Sequence, residues 1–134
     1  MALLNDRQVE LLKEPLIAQF VTLMKDGSPQ ITPVWVDVDE NGEHILINSE
    51  SGRLKVRNIR RDPRVAVGVY DPENSGTRVL NVRGRVVELT EDGAAEHIDF
   101  LSEKYTGSRP YANHDPDNPR LIMKIVPDRI DSGL

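Results

Sequence analysis

Lys25-Asp26-Gly27-Ser28-Pro29-Gln30-Ile31-Thr32-Pro33-Val34-Trp35-Val36-Asp37-Val38-Asp39 decides the fold class of this chain. Asp-Gly at the centre of a tight turn between two β-rich runs is a strong hairpin signal, because glycine takes up positive φ at no steric cost. The run before the turn, Ile17 to Met24, is rich in β-formers. In the run after it, Ile31, Pro33, Trp35 and Asp37 alternate with Thr32, Val34, Val36 and Val38. That period of two predicts a strand from Pro29 to Asp39, antiparallel to the first. Pro33 has no N–H to give to a ladder, so this strand belongs at an edge or a bulge. An edge strand also keeps amides and carbonyls that can bond a flat heterocycle, although edge protection is the commoner use of such a proline.

The pattern extends in both directions. Upstream, Asn5 or Asp6 caps a short helix through Lys13, with Val9, Leu11 and Leu12 as its apolar residues, and Pro15 ends it. Downstream, Asn41-Gly42 makes a second turn and His44 to Asn48 a third strand. Next come a helix of about ten residues stopped at Pro63, a strand from Arg64 to Tyr70 and a polar loop from Asp71 to Gly76. Thr77 to Leu89 reads as a long strand, with Gly84 marking a bulge or bend. Ala94 to Tyr105 has helical spacing, Gly107 to Asn118 is a loop, and Leu121 to Val126 is a last strand that Ile130 extends or follows. The expectation is one domain over residues 1–134, mainly β, with about six strands and three short helices. Hairpin links without βαβ alternation favour an antiparallel sheet or small barrel over a Rossmann fold.

Composition narrows the function. The chain has 134 residues, no cysteine, and a formal net charge of -5. Thiolate chemistry and Cys-ligated metals are excluded. The acidic balance argues against nucleic-acid binding, and no run reaches the length of a membrane span. The first residues lack the basic and apolar regions of a signal peptide, so a cytoplasmic location is expected. Aromatic residues are only 4% of the chain, so the core must be aliphatic, and a lean core suggests burial between subunits. His44, His97 and His114 have no metal-binding spacing, and His114 to Asn118 lacks the glycine and glutamate of a calcium loop. No metal is expected. No nucleophile elbow, Walker motif or G-x-G-x-x-G exists, and no catalytic residue stands out.

Against that acidic background, six of the seventeen basic residues fall within positions 53 to 64: Arg53, Lys55, Arg57, Arg60, Arg61 and Arg64. Only Asp62 opposes them there. Arg53, Arg57, Arg60 and Arg64 recur at helical spacing as one stripe. Ser51-Gly52 precedes them and suggests a helix start, where unpaired N–H groups and the positive dipole end attract anions. Guanidinium forks fit phosphate oxygens, and lysine adds a mobile point charge. Arg53 and Lys55 are therefore the leading phosphate ligands. Arg60, farther along the stripe, is a further candidate. The bland alternative is a solvated basic face.

Three segments carry a family resemblance: Asp26 to Trp35; the run Gly52-Arg53-Leu54-Lys55-Val56-Arg57-Asn58-Ile59-Arg60-Arg61-Asp62-Pro63-Arg64-Val65; and Val82-Arg83-Gly84-Arg85-Val86. Over about Pro15 to Val126 the chain resembles the pyridoxamine-phosphate-oxidase-like split β-barrel flavoproteins. Within them it looks most like the branch using the deazaflavin coenzyme F420. The resemblance implies a six-stranded split barrel that dimerises, with cofactor sites in grooves between subunits. It implies that Arg53 and Lys55 hold the cofactor phosphate with help from Ser49 or Ser51. It implies also that the backbone of Thr32, Pro33 and Val34 lines the ring system. Residues 78–81 or the loop near Tyr111 of the other subunit would close the site. The implied activity is hydride transfer from reduced F420 to an unsaturated small molecule, the cofactor carrying the redox chemistry. FMN is the alternative cofactor, and a non-catalytic carrier the alternative role.

Overall fold

The computed structural model describes residues 2–134, which form three helices and seven strands. Helix α1 (Asp6–Lys13) starts as expected. The Asn5 side chain accepts from the Gln8 N–H at 2.9 Å, and Gln8 Oε1 accepts from the Asn5 N–H at 3.0 Å. This reciprocal cap satisfies donors that a helix start leaves unpaired. Strands β1 (Ala18–Leu23) and β2 (Pro29–Val34) form the hairpin, with Gly27 in its turn at φ +86°.

The expected strand from Pro29 to Asp39 is not continuous. Its first part is β2, and its last part is β3 (Asp37–Val38). The sheet order is β2-β1-β5-β6-β7-β4-β3, so those two pieces sit on opposite edges of one sheet. Only Trp35 and Val36 join them, and the three residue steps from Val34 to Asp37 reach at most about 11 Å. The edges must therefore meet, and the antiparallel sheet curls on itself. That break at the seam is why the structure has seven strands where six were expected. Pro33 lies on the edge strand, opposite Gln19, where its missing N–H leaves no inner ladder bond unmade.

Strand β4 (Ile45–Glu50) leads into helix α2 (Leu54–Arg61), then β5 (Arg64–Tyr70) and β6 (Val79–Thr90). Helix α3 (Ala94–Thr106) runs between Gly93 and Gly107, both at positive φ, and β7 (Arg120–Ser132) closes the chain. Gly84 makes the expected bulge: the register breaks between Arg83 and Gly84, and a Cβ there would stand 2.3 Å from the Val126 carbonyl oxygen. The same bulge lets β7 run on past Val126, so Ile130 extends the strand. Pro127 lies opposite Gly84, where the ladder is already broken.

The interior is aliphatic, as the composition requires. Leu11, Leu12, Ile45, Ile47, Met123 and Ile125 are fully buried, and Phe20 is the one aromatic residue among the largest fully buried side chains. Among the described residues no helix is long and apolar enough to cross a membrane. The curl brings the end of β2, the β4–α2 junction, the start of β7 and one side of α3 around a common depression.

Candidate functional site

That depression has a volume of about 390 Å³. One side of it is cationic. Arg53 is the N-cap of α2, with a guanidinium 62% exposed and 3.4 Å from a Glu50 carboxylate oxygen. Lys55 is half-buried. Burial pulls its ammonium pKa down, and the charges of Arg53 and Arg120 push the same way, while Glu50 opposes them. Arg120, at the head of β7, is only 11% exposed. Its Nε donates to Asn48 Oδ1 at 2.8 Å, and its guanidinium lies 5.2 Å from the centre of the Tyr111 ring. Burial lowers its pKa as well. Three cations thus share one carboxylate, since Glu50 lies 3.8 Å from Arg120 Nη1. Crowded like charges in a half-buried place disfavour their own ionisation, and an arriving anion relieves that.

Glu50 is itself held by Asn118, whose Nδ2 donates to it at 2.6 Å. Asn118 Oδ1 accepts from the Ser51 hydroxyl and from the Gly52 N–H, each at 3.0 Å. The Ser-Gly step expected to present donors to an anion is therefore occupied by an asparagine from the distant loop. Ser51 lies outside the lining of the depression, whereas Ser49 is in it, buried, its hydroxyl donating to the Glu50 carbonyl at 2.9 Å.

The rest of the lining is apolar and aromatic. It includes Pro33 and Val34, followed by Trp35, Ile98, Leu101 and Tyr111. Trp35 stacks on Tyr105 with ring centres 5.2 Å apart, and Tyr111 meets it edge-on at 6.1 Å. The Tyr105 hydroxyl donates to the Leu16 carbonyl at 2.6 Å and accepts from the Val36 N–H at 3.0 Å. This aromatic set fixes the short link between the two edge strands. Thr32 stays outside the lining, its hydroxyl engaged with the Gln30 side chain on the same strand.

The rest of the basic run goes elsewhere. Arg60 borders a separate surface depression with Ile59 and residues 86–89. Arg57 Nη1 donates to the Gly52 carbonyl at 3.0 Å. Arg61 donates to the Leu23 carbonyl at 2.7 Å and to Asn58 Oδ1 at 2.9 Å. Arg64 grips Asp62 through Nε and Nη2, at 3.0 and 2.7 Å, and these bonds hold the Asp62 carboxyl well below the usual carboxylate range.

Of the residues singled out in the sequence, then, Arg53, Lys55, Ser49, Pro33 and Val34 are brought together, and Ser51, Thr32 and Arg60 are not. Sequence reasoning missed Arg120, Asn48, Glu50 and Asn118. Arg120 comes to the site because β7 pairs with β4 in a register that sets it opposite Glu50. No local pattern announces that pairing. Among the described residues no group of acidic and histidine side chains is arranged to hold a metal ion.

A curled antiparallel sheet with a cationic, aromatic-walled depression at its seam defines a class of cofactor-binding split barrels. The chain belongs to the pyridoxamine 5'-phosphate oxidase family, whose model matches residues 4–132. It is similar to a solved F420 reductase, with 31% identity and a TM-score of 0.80 over 91% of this chain and 94% of that one. It shares its fold with a putative pyridoxamine 5'-phosphate oxidase from Listeria innocua, at 22% identity and a TM-score of 0.71 over 95% of each chain. It also shares it with a FAD-binding protein from Mesorhizobium loti, at 17% identity and a TM-score of 0.62 over 96% of this chain and 94% of that one.

Proposed function

We propose that this chain is an F420-dependent reductase that binds the deazaflavin in the seam depression and passes its hydride to an unsaturated small molecule. The observation that carries this reading is the cluster of Arg53, Lys55 and Arg120 around the single carboxylate of Glu50, with the lysine ammonium pulled down by burial. Such a cluster fits a phosphate group. The similarity to an F420 reductase at 31% identity supports the choice of cofactor.

Each side chain then has a definite task. Arg53 and Arg120 offer guanidinium donors to phosphate oxygens, and Lys55 adds a compact charge beside them. Pro33 and Val34, on the edge strand, give a ring system a surface with backbone polar groups alongside. Trp35 and Tyr111 exclude water from that side. The cofactor, when bound, supplies the hydride. The protein supplies position and field, which explains why no acid–base pair is needed in the pocket. In this reading the active form is a homodimer, favoured by exposed apolar side chains on the sheet and turns such as Ile31 and Tyr70.

Trp35 is the only tryptophan and lines the depression, so its fluorescence reports occupancy. Titration with F420, FMN and FAD should show saturable quenching by F420 at micromolar concentration. Saturation by FMN alone would move the assignment to a flavin-dependent enzyme. Tight F420 binding with no turnover across a panel of conjugated substrates would leave a carrier. Light scattering on the same samples should give twice the chain mass.

A further inference from the structure

Behind Arg120 lies a string of polar groups whose hydrogen-bond directions are forced by their chemistry. Arg120 Nε can only donate, and it lies 2.8 Å from Asn48 Oδ1. The Ala94 carbonyl can only accept, and it lies 2.9 Å from Asn48 Nδ2. Those two partners fix which end of the amide is oxygen. The same Nδ2 lies 3.1 Å from His97 Nδ1, so that ring nitrogen must accept. The ring proton must then sit on Nε2, 3.0 Å from Asp37 Oδ2. The His97 and Asp37 side chains are only 11% and 15% exposed, so water does not substitute freely for either partner. Asn48 is buried, and the string ends in a guanidinium that lines the pocket.

A competing arrangement lies close by. Glu50 stands 3.8 Å from Arg120 Nη1, beyond a hydrogen bond but within easy reach of a swing. If the Asn48 amide turned over, its NH₂ would face the Arg120 N–H, donor against donor. The guanidinium would drop fully onto Glu50, whose carboxylate would neutralise the charge it offers to the pocket. His97 on α3, bonded to Asp37 on β3, thus stands beside the Ala94 carbonyl as a second acceptor for the Asn48 NH₂ group, the amide that faces a cation on β7.

We propose that His97 is a positioning residue: locked by Asp37 as the Nε2–H tautomer, it holds the Asn48 amide so that Arg120 is aimed into the anion-binding pocket and kept off Glu50. The effect on ligand affinity rests on the functional reading above. The tautomer and the Arg120–Asn48 bond do not.

The test uses the full chain labelled with ¹⁵N. Long-range ¹H–¹⁵N spectra should show His97 as a neutral ring protonated at Nε2, with the Arg120 Nε–H shifted and slow to exchange. A Nδ1–H ring or an averaged pair of tautomers overturns the proposal. In His97→Phe the Arg120 Nε–H should become fast-exchanging, and a resonance that stays put overturns it. Asn48→Asp is the second variant, in case His97→Phe does not fold. It keeps an acceptor for Arg120 but presents an oxygen instead of an N–H to His97 Nδ1, so that ring nitrogen should now carry a proton. A Nδ1 that stays unprotonated overturns the proposal. For affinity, His97→Phe should weaken F420 or FMN binding roughly tenfold, the scale of one charge-assisted hydrogen bond. The same change in an Arg120→Met background should cost nothing further. Equal losses in both backgrounds overturn it. If neither cofactor binds the native chain, the functional reading fails, and the spectra alone still decide the role of His97.

Discussion

At the N-terminal end of α2, Arg53 and Lys55 share with Arg120 a single carboxylate, that of Glu50, which is also engaged by Asn118. At the C-terminal end, Arg64 holds Asp62 through two bonds, and Arg61 is spent on the Leu23 carbonyl and Asn58. Both ends read as equally basic in the sequence. They differ in the acceptors the fold supplies to each. Where acceptors match donors, the charge is used up in structure. Where three cations converge on one carboxylate beside an apolar wall, the excess is available to a ligand.

The largest expected effect comes from removing that excess. Arg53→Ala combined with Lys55→Ala should weaken F420 binding by about 3 kcal/mol or more, taking roughly 1.5–3 kcal/mol for each hydrogen bond to a charged group. Trp35 fluorescence titration measures it, and an unchanged dissociation constant would break the contrast between the two ends. Arg120→Met should cost about 2 kcal/mol on the same scale. An unaltered affinity there would mean that the cation contributed by β7 serves packing alone.

A gentler probe is pH. The Lys55 pKa is lowered in the free protein, chiefly by burial and then by Arg53 and Arg120. A bound phosphate raises it again, so binding takes up a proton. Affinity is then complete below the free-protein value and falls as pH rises through the bound value, with a slope of at most about tenfold per unit for one proton. Isothermal titration in buffers of different ionisation enthalpy should detect that uptake on the alkaline side. Affinity that is flat with pH would place the phosphate away from Lys55. The smallest effect belongs to the other end of α2. Arg61→Ala and Arg64→Ala should leave cofactor affinity at its native value and change stability little, as expected for exposed pairs. A large loss of affinity from either would merge the two ends into one site.

Much of the fold is legible because its signals are local. Asp26-Gly27 makes its turn, Asn5 caps α1 with Gln8, and Gly84 makes its bulge, each through backbone chemistry within a few residues. One feature reads wrongly and another stays open, for the same kind of reason. The alternation from Pro29 to Asp39 is unbroken in sequence, yet the chain changes edges at Trp35 and Val36 because the sheet closes there. Whether Ile130 extends the last strand or follows it stays open in the sequence, and β7 runs through it because its partner already carries a bulge at Gly84, opposite Pro127. The site divides in the same way. Arg53 and Lys55 stand out as a dense basic run, whereas Asn118 and Arg120 look like ordinary residues at a loop end until the sheet brings them to Glu50.

The amino-acid sequence by itself determined the antiparallel β class, the aliphatic core, the turns, and the presence of a basic helix just after Arg53. These follow from side-chain period, turn stereochemistry and charge, which act over a few residues. Only the tertiary structure decided which of the basic residues face a common depression, and that an asparagine 68 positions from Glu50 takes the donors of the Ser-Gly step. It alone set Arg120 at the end of a string running from Asp37. The physical reason is strand pairing. The register of β4 against β7 sets Glu50 beside Arg120 across a gap in sequence that no local propensity spans.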